Sequence, residues 1–335
     1  MRRPLTKTAD RTLLPDLEIH VTVPYASDDE LERVKAELYL LDPTGERFAA
    51  VLRNTIDQLL NGEVTGRYAW AELFKTEKTH AGTMVEINLQ REFRFADGQL
   101  MDYQIAGIDV DCKYSQKFGA WMIPPEAVGH ICLVVSADDD RSRWSAGLVR
   151  IREEILNSGS NRDLKLTIKA EHRDQIVWLW RDAELPENVL LHLDSDVRAR
   201  ILIPGTGKGQ ARLNQLFRLV HDRRIGRGVV RTAAQQVDYM ARVREGSKSR
   251  ARPKLRTEGI IILGGYQAHQ EIAAALGGSV PKQGEFVAHR VVEARPEHLG
   301  RPRAQIAGKD WVIADAGDPP EEAPKLPDPQ RKAAS

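Results

Sequence analysis

The chain has 335 residues and a formal net charge of +1 at pH 7, with 41% hydrophobic and 29% charged residues. This composition fits a globular protein, and no apolar run approaches the roughly 18 residues of a membrane-spanning helix. The start of the chain lacks the apolar segment of a signal peptide, and two cysteines, Cys112 and Cys132, exclude a disulfide framework and a zinc quartet. We therefore expect a cytoplasmic protein without membrane contact and, at this length, with two domains.

The first part of the chain is predicted to begin with a loose arm, over residues 1 to about 25, and to continue with two helices. Ser27 would cap the first helix, which covers residues 27–38. The second helix covers residues 46–60 and ends at Asn61-Gly62, because asparagine and glycine favour the left-handed conformation that closes a helix.

A third helix is predicted over residues 83–93, where Val85, Leu89 and Phe93 recur every four residues like the buried stripe of a helix. Glu86 lies beside this stripe. Its carboxylate could therefore reach a neighbouring cleft, or it could be an ordinary acid on the helix surface.

Two short strands are predicted between Asp102 and Lys113, joined by a two-residue turn at Ala106-Gly107. This turn sets a register in which Asp102 lies directly opposite Asp111 on one face of the hairpin. Lys113 points to the same face, two positions further along. The other predicted pairs are Tyr103 with Val110, Gln104 with Asp109, and Ile105 with Ile108.

The facing carboxylates of Asp102 and Asp111 repel each other, and a divalent cation between them would remove the repulsion. We therefore interpret Asp102, Asp111 and Lys113, with Glu86 as a fourth member, as a Mg²⁺ site with oxygen ligands and a lysine beside it. The alternative is a solvated strand edge, because most Asp-x-Lys tripeptides are surface ion pairs.

The remainder of the first domain is predicted to contain an apolar strand at residues 131–135, another strand at 144–151 and a helix at 174–180. Helices around a mixed sheet with central acidic strands give an α/β fold class. The boundary to the second domain is placed near residues 181–188, where Pro186 lies among polar residues.

Positive charge is concentrated between Arg198 and Arg256, where 16 lysines and arginines face three acidic residues, a local charge of +13. The rest of the chain therefore carries −12. Such clustering is typical of a module that binds a polyanion, although a basic run is often only a solvated surface. The glycines at 205–209 are interpreted as a linker, since Lys208 is followed by Gly209 and not by the Ser/Thr of a phosphate-binding loop.

Three helices in this basic region match a helix-turn-helix, at residues around 213–220, 227–234 and 237–245. In the third, Val237, Met240 and Ala241 are expected to face inward. A helical hairpin without a DNA role fits the pattern almost as well, and the charge favours DNA binding. The predicted DNA-binding residues are Arg227, Arg231, Gln235, Gln236, Asp238, Tyr239, Arg242, Arg244, Lys248 and Arg250, the last two in a basic loop at 248–256.

The C-terminal third is predicted to alternate strands with one helix and to end in a tail. The strands are placed at residues 259–263, 285–292, 304–308 and 311–314, and the helix at 268–276. Residues 319–335 are rich in Pro, Glu, Ala and Lys and are expected to be disordered.

Six sequence segments, taken in their order along the chain, resemble the NaeI family of type IIE restriction endonucleases. They include Asn54-Thr-Ile-Asp-Gln-Leu59, Lys75-Thr-Glu-Lys-Thr-His80 and Val85-Glu-Ile-Asn-Leu-Gln-Arg-Glu-Phe93, and continue at residues 119–122, 129–134 and 258–264. The resemblance implies an endonuclease domain of the PD-(D/E)XK type with a mixed central sheet, at residues 1–182. It also implies an α+β domain with a helix-turn-helix like that of catabolite activator protein, at residues 188–318.

The resemblance places the family's catalytic acids and lysine on Glu86, Asp102, Asp111 and Lys113; Met101 stands where the superfamily motif has proline. It implies Mg²⁺-dependent cleavage of double-stranded DNA at a GC-rich palindrome, activation by a second DNA site, and a cognate DNA methyltransferase in the same bacterial cell. A palindrome also leads us to expect a homodimer. The alternatives are a DNA-binding regulator with an inactive nuclease-like domain, and a nicking or repair nuclease.

Residues 55–62 are similar to the active-site segment of a DNA ligase, with Leu59 where the nucleophilic lysine would stand. Without an amine at this position the segment cannot form a covalent nucleotidyl intermediate. We favour an amphipathic helix that ends at glycine.

Overall fold

The computed structural model describes residues 28–159, 164–203 and 208–327. The predicted arm and Ser27, the predicted cap, lie outside the described residues, as do most of the predicted glycine linker and the last eight residues of the predicted tail.

Four helices open the described chain. They are α1 (Asp29–Leu41), α2 (Glu46–Leu60), α3 (Gly62–Thr65) and α4 (Lys75–Phe93). The cap of α1 is Asp28, whose carboxylate accepts a hydrogen bond from the Leu31 amide at 3.1 Å. As predicted, α2 ends at Asn61 in the left-handed conformation.

Helix α4 begins at Lys75, a full two turns before the predicted start. The Glu77 carboxylate accepts a hydrogen bond from the Phe74 amide at 2.7 Å, which satisfies a free donor at the start of the helix. The first two turns bury only Ala81, so they lack the apolar repeat that identified the rest of α4. That repeat is confirmed, because Val85, Leu89 and Phe93 are buried.

A six-stranded sheet follows, with its strands in chain order from one edge to the other. They are β1 (Ala96–Asp97), β2 (Tyr103–Ile105), β3 (Ile108–Ser115), β4 (Ile131–Asp138), β5 (Arg143–Arg150) and β6 (Val177–Glu184). Strands β3 and β4 are parallel and all other neighbours are antiparallel, so the sheet is mixed as expected. One face packs on the helices, and the other covers a second core around Trp121 and Ile123.

The helix predicted at residues 174–180 is wrong, since most of this stretch belongs to strand β6. It pairs with β5, where Gly147 lies opposite Trp178. A side chain at Gly147 would come within 2.6 Å of Ile176 Cγ2 and 2.9 Å of Trp178 Cε3. The apolar run was too short for its periodicity to separate helix from strand.

The remaining elements combine helices with a second sheet. They are α5 (Ser195–Leu202), α6 (Gly209–Leu219), α7 (Arg227–Ala234), α8 (Tyr239–Val243), α9 (Ala251–Arg256), β7 (Ile260–Gly264), α10 (Gln267–Ala275), β8 (Phe286–Glu293), β9 (Ala304–Ile306) and β10 (Lys309–Ile313). The sheet is antiparallel, in the order β7-β8-β10-β9. Short 3-10 helices lie at Trp70–Glu72, Pro125–Ala127, Glu153–Ile155, Ala170–Gln175, Val189–His192 and Pro296–His298.

Two details of the basic region differ from the prediction. The third predicted helix is reduced to α8, and Val237, expected to face inward, is 84% exposed while Val243 is buried. The basic loop predicted at 248–256 contains helix α9, where the buried Arg252 donates a hydrogen bond to the Ile262 carbonyl at 2.9 Å. Neither the exposure of Val237 nor the hydrogen bond of Arg252 to Ile262 could be inferred from the local sequence.

The expected disorder beyond residue 318 does not hold for residues 319–327. Ala323 and Leu326 are buried against the second sheet, and the Ala323 amide donates to the Arg256 carbonyl at 2.9 Å. Most of this segment is polar, but burial of Ala323 and Leu326 is enough to hold it against the second sheet.

Helix α7 packs closely against α3 and α2, and a glycine at each contact makes this approach possible. A Cβ atom on Gly62 of α3 would lie 1.9 Å from Thr232 Oγ1 of α7, and one on Gly228 of α7 would lie 1.9 Å from Asp57 Oδ2 of α2. The substitution Gly62→Leu is therefore expected to lower the free energy of unfolding by about 1–3 kcal/mol, because α3 and α7 must separate. Urea denaturation measures this change.

The matched control is Gly82→Ala in α4, where an added Cβ meets no atom within 4 Å. This change should raise the free energy of unfolding by about 0.5–1 kcal/mol, because alanine loses less backbone entropy in a helix. Equal effects of the two substitutions would contradict the close packing of α3 on α7.

Candidate active site

The hairpin of β2 and β3 has the predicted turn and register. Ala106 and Gly107 both have positive φ angles, 53° and 74°, as a type I′ turn requires. The observed pairs are Tyr103 with Val110, Gln104 with Asp109, and Ile105 with Ile108. Asp102 directly precedes β2, and its Oδ2 accepts a hydrogen bond from the Cys112 amide at 2.7 Å. The turn thus brings Asp102 to the strand that carries Asp111.

Lys113 joins the two aspartates. Its Nζ lies 2.5 Å from Asp111 Oδ1 and 3.4 Å from Asp102 Oδ2, and it also donates to the Cys112 carbonyl at 2.9 Å. Three of the four residues of the predicted Mg²⁺ site, those on the hairpin, are therefore in direct contact. The ammonium group occupies the space between the two carboxylates.

Asp111 is buried, with a side chain only 5% exposed. The parallel pairing of β3 and β4 places Cys132 beside it, with Sγ 3.7 Å from Asp111 Oδ2. Burial raises the pKa of Asp111, and the lysine opposes this shift. Burial also disfavours the charged form of Lys113, but the Asp111 carboxylate outweighs it and raises the pKa of Lys113. The lysine therefore keeps its proton.

Glu86 approaches the same space from helix α4. Burial raises its pKa, and the negative charges of Asp102 and Asp111 add to the shift against the opposing charge of Lys113. The three carboxylates and one ammonium have a formal charge of −2, which a divalent cation would balance. Their oxygens are the ligands that Mg²⁺ prefers.

Glu86, Asp102 and Asp111 do not form a closed metal-binding cluster. Within residues 28–159, 164–203 and 208–327, no three His, Cys, Asp or Glu side chains are gathered at ligand distance. The donor set fits Mg²⁺ in its chemistry and charge.

Sequence reasoning missed Asp109, which shapes the loop before the site. Its carboxylate accepts hydrogen bonds from the amides of Gln99 and Leu100 at 3.1 and 2.7 Å. Gly98 is needed here, because a Cβ atom would lie 2.0 Å from the Met101 carbonyl oxygen. These contacts fix the direction from which Asp102 enters the hairpin. The strand pairing of Asp109 with Gln104 does not indicate this role, which is seen only in its hydrogen bonds to the Gln99 and Leu100 amides.

The predicted DNA-binding residues do not form one exposed surface. Arg231 lies over the ring of Tyr239, at 5.4 Å from its centroid. The negative charges of Glu63 and Asp57 also favour the positive charge of Arg231. A Cβ atom on Gly66 would come within 2.9 Å of the Gln235 side-chain nitrogen. Arg231 and Gln235 thus face the preceding part of the chain.

Other predicted DNA-binding residues are held by local contacts. The side-chain oxygen of Gln236 is buried without a hydrogen-bond partner among the described residues. Arg242 pairs with Asp238 at 2.6 Å, and Arg250 donates to the Glu245 carbonyl at 2.9 Å. The exposed members of the predicted set are Arg227, Asp238, Arg244 and Lys248.

Leu59 lies in α2, partly buried against the first core, as expected for an amphipathic helix. Across the described ranges, no helix combines the length and apolarity that crossing a membrane would demand.

The family model for restriction endonuclease NaeI matches residues 32–322 of the chain. A type II restriction enzyme NaeI from Lentzea aerocolonigenes is 53% identical over 312 residues, which cover 92% of this chain and 96% of that protein. The matched range includes both sheets and all four residues of the candidate site. The chain therefore belongs to the restriction endonuclease NaeI family and is a type II site-specific deoxyribonuclease.

Proposed function

We propose that the protein is a Mg²⁺-dependent endonuclease of the PD-(D/E)XK type that hydrolyses both strands of DNA at a short GC-rich palindrome. The observation that carries this proposal is the contact of Lys113 with Asp102 and Asp111 at the β2–β3 hairpin of the mixed sheet. Glu86 supports it, because the charges of the two aspartates act on its carboxylate.

In this mechanism Asp111, Asp102 and Glu86 would hold Mg²⁺. When bound, Mg²⁺ lowers the pKa of a water molecule and stabilises negative charge on the phosphate. Lys113 would face the phosphate as a cation and would orient the attacking water. In-line attack leaves a 5′ phosphate and a 3′ hydroxyl. Cys132 and the Cys112 amide hold the aspartates in place.

Incubation of plasmid DNA with the purified protein, followed by sequencing of the new ends, tests this function. Mg²⁺ should give double-strand breaks at one short palindrome, and EDTA should prevent them. Single-strand breaks would indicate a nicking or repair nuclease. Sequence-specific binding without any breaks would indicate a DNA-binding regulator, and both outcomes would contradict the proposal.

We further propose that α6, α7 and α8 form a helix-turn-helix that binds a second DNA site and thereby activates cleavage. Leu213, Leu216 and Phe217 bury one face of α6, and Gln235 ends α7 in the left-handed conformation that turns the chain toward α8. The high positive charge of this region supports contact with phosphates. Among the predicted basic residues, Arg227, Arg244 and Lys248 are exposed and suited to reach DNA.

The combined substitution of Arg244 and Lys248 by alanine is expected to weaken binding of the activating DNA. If each side chain contacts one phosphate, the slope of log K against log salt should fall by about 1.8 in magnitude. Fluorescence anisotropy with a labelled duplex over a range of salt concentrations measures the slope. The control replaces Arg303 and Lys309, basic residues at strands β9 and β10 on the edge of the second sheet opposite β7, and should leave the slope unchanged. Identical slopes for the two double variants would exclude these phosphate contacts.

A homodimer is part of the proposal, because a palindrome presents its two strands around a two-fold axis and each needs a catalytic site. We also propose that the enzyme acts in the bacterial cytoplasm beside a DNA methyltransferase that protects the same sequence. Membership of the restriction endonuclease NaeI family supports both a second copy of the chain and the methyltransferase as partners.

A further inference from the structure

Tyr103 lies between the hairpin and helix α4, and no part of it reaches solvent. It follows Asp102 in the chain and pairs with Val110 of β3. Its hydroxyl donates a hydrogen bond to the backbone carbonyl of Glu86 at 2.7 Å. The side chain therefore connects the strands that carry the aspartates to the helix residue that carries the third carboxylate.

This contact is directional, unlike the apolar packing around it. Val85 and Leu89 hold α4 on the sheet, but apolar surfaces tolerate small shifts along each other. A hydrogen bond of 2.7 Å to the Glu86 carbonyl fixes the distance of α4 from the hairpin and the rotation of the helix about its axis at this residue. The Glu86 carboxylate extends from that same backbone position.

Cys112, the residue between Asp111 and Lys113, lies close enough to Tyr103 for the thiol and the phenol to influence each other's pKa, although burial is the larger cause of both shifts. The ring packs beside Phe95, with 5.3 Å between the ring centroids. Tyr103 thus has little freedom, and its position follows that of the strand that bears Asp111 and Lys113.

We propose that Tyr103 is a positioning residue for metal binding, which sets the position of Glu86 relative to Asp102 and Asp111. This inference rests on the proposed Mg²⁺ site. It does not require Tyr103 to contact the metal, the DNA or the attacking water.

The substitution Tyr103→Phe keeps the packed ring and removes only the hydroxyl. We expect the dissociation constant for Mn²⁺, a spectroscopic substitute for Mg²⁺, to rise about 10-fold, as for other residues that orient metal ligands. Electron paramagnetic resonance of free Mn²⁺ measures this constant without any need for catalysis. The Mg²⁺ concentration for half-maximal cleavage should rise in parallel.

Tyr114→Phe is the matched control. Tyr114 lies on the same strand as Asp111, and its buried hydroxyl has no hydrogen-bond partner among the described residues. Its removal should leave Mn²⁺ affinity and cleavage unchanged. Thermal unfolding of both variants checks that neither loses its fold.

A double-substitution cycle with Glu86→Gln separates positioning from general packing. If Tyr103 acts through the Glu86 carboxylate, adding Tyr103→Phe to Glu86→Gln should weaken Mn²⁺ binding no further. Independent effects that multiply to about 100-fold, or no effect of Tyr103→Phe alone, would overturn the inference. If Glu86→Gln alone leaves Mn²⁺ affinity unchanged, Glu86 is not a ligand, and the proposed site itself fails at that residue.

Discussion

The substitution Asp111→Asn is expected to lower kcat for plasmid cleavage by about 10³-fold or more while DNA binding persists. Asparagine keeps the shape of the side chain but removes the charge that pairs with Lys113 and would bind the metal. Stabilisation of charge by a catalytic metal is worth several kcal/mol, and each 1.36 kcal/mol corresponds to about a factor of ten in rate. Single-turnover cleavage with saturating Mg²⁺ measures the change.

Asp97→Asn is the matched control, because it makes the same chemical change on strand β1. Asp97 is exposed, pairs with Tyr103 across the sheet and hydrogen-bonds Gln90 outside the site. Cleavage by this variant should stay close to the wild-type rate. If Asp111→Asn cleaved at the wild-type rate in Mg²⁺, the assignment of the site to the hairpin would have to be abandoned.

The substitution Arg53→Ala is expected to lower the free energy of unfolding by about 3–5 kcal/mol. Arg53 is buried, lies 2.8 Å from Asp57 and donates two hydrogen bonds to the buried Asp139. Its removal leaves two carboxylates without their shared cation in the core, which costs more than the pair contributes when intact. Urea denaturation at pH 7 measures the loss.

The loss should also depend on pH. Burial raises the pKa of Asp57 even with Arg53 present, so this carboxyl takes up a proton more readily in the folded state than in the unfolded state. A raised folded-state pKa favours folding as the pH falls. Without Arg53 this effect should grow, and the deficit relative to the wild type should shrink between about pH 7 and pH 5.

Arg47→Ala provides the control for an exposed ion pair. Arg47 bonds Glu92 at 2.9 Å, and both side chains are 43% exposed. Solvent screens such a pair, so its loss should cost about 1 kcal/mol or less. Equal losses from the Arg47 and Arg53 variants would show that burial of the Arg53 cluster does not govern stability.

The local sequence was sufficient to predict the catalytic hairpin. A turn at Ala106-Gly107 leaves one register for strands of this length, and the alternation of side chains then places Lys113 on the face of Asp111. The stripe of Val85, Leu89 and Phe93 likewise identified the core of α4. These features depend on residues only a few positions apart.

Stretches without a clear local pattern were predicted less well. The first turns of α4 bury a single residue, so they lack an apolar repeat. The segment at β6 is a strand because it pairs with β5. Residues 319–327 are ordered because Ala323 and Leu326 pack into the buried cluster at the second sheet. In each case a partner distant in sequence decided the conformation.

The sequence by itself determined the hairpin register, the contact partners of Lys113 within it and the concentration of positive charge after Arg198. Only the tertiary structure decided that the charges of Asp102 and Asp111 act on Glu86, that the Tyr103 hydroxyl bonds the Glu86 carbonyl, and that Arg231 turns toward the first part of the chain. The reason is physical, because turn geometry and side-chain alternation act within a few residues. The approach of a helix to a sheet is set instead by packing and hydrogen bonds between distant segments.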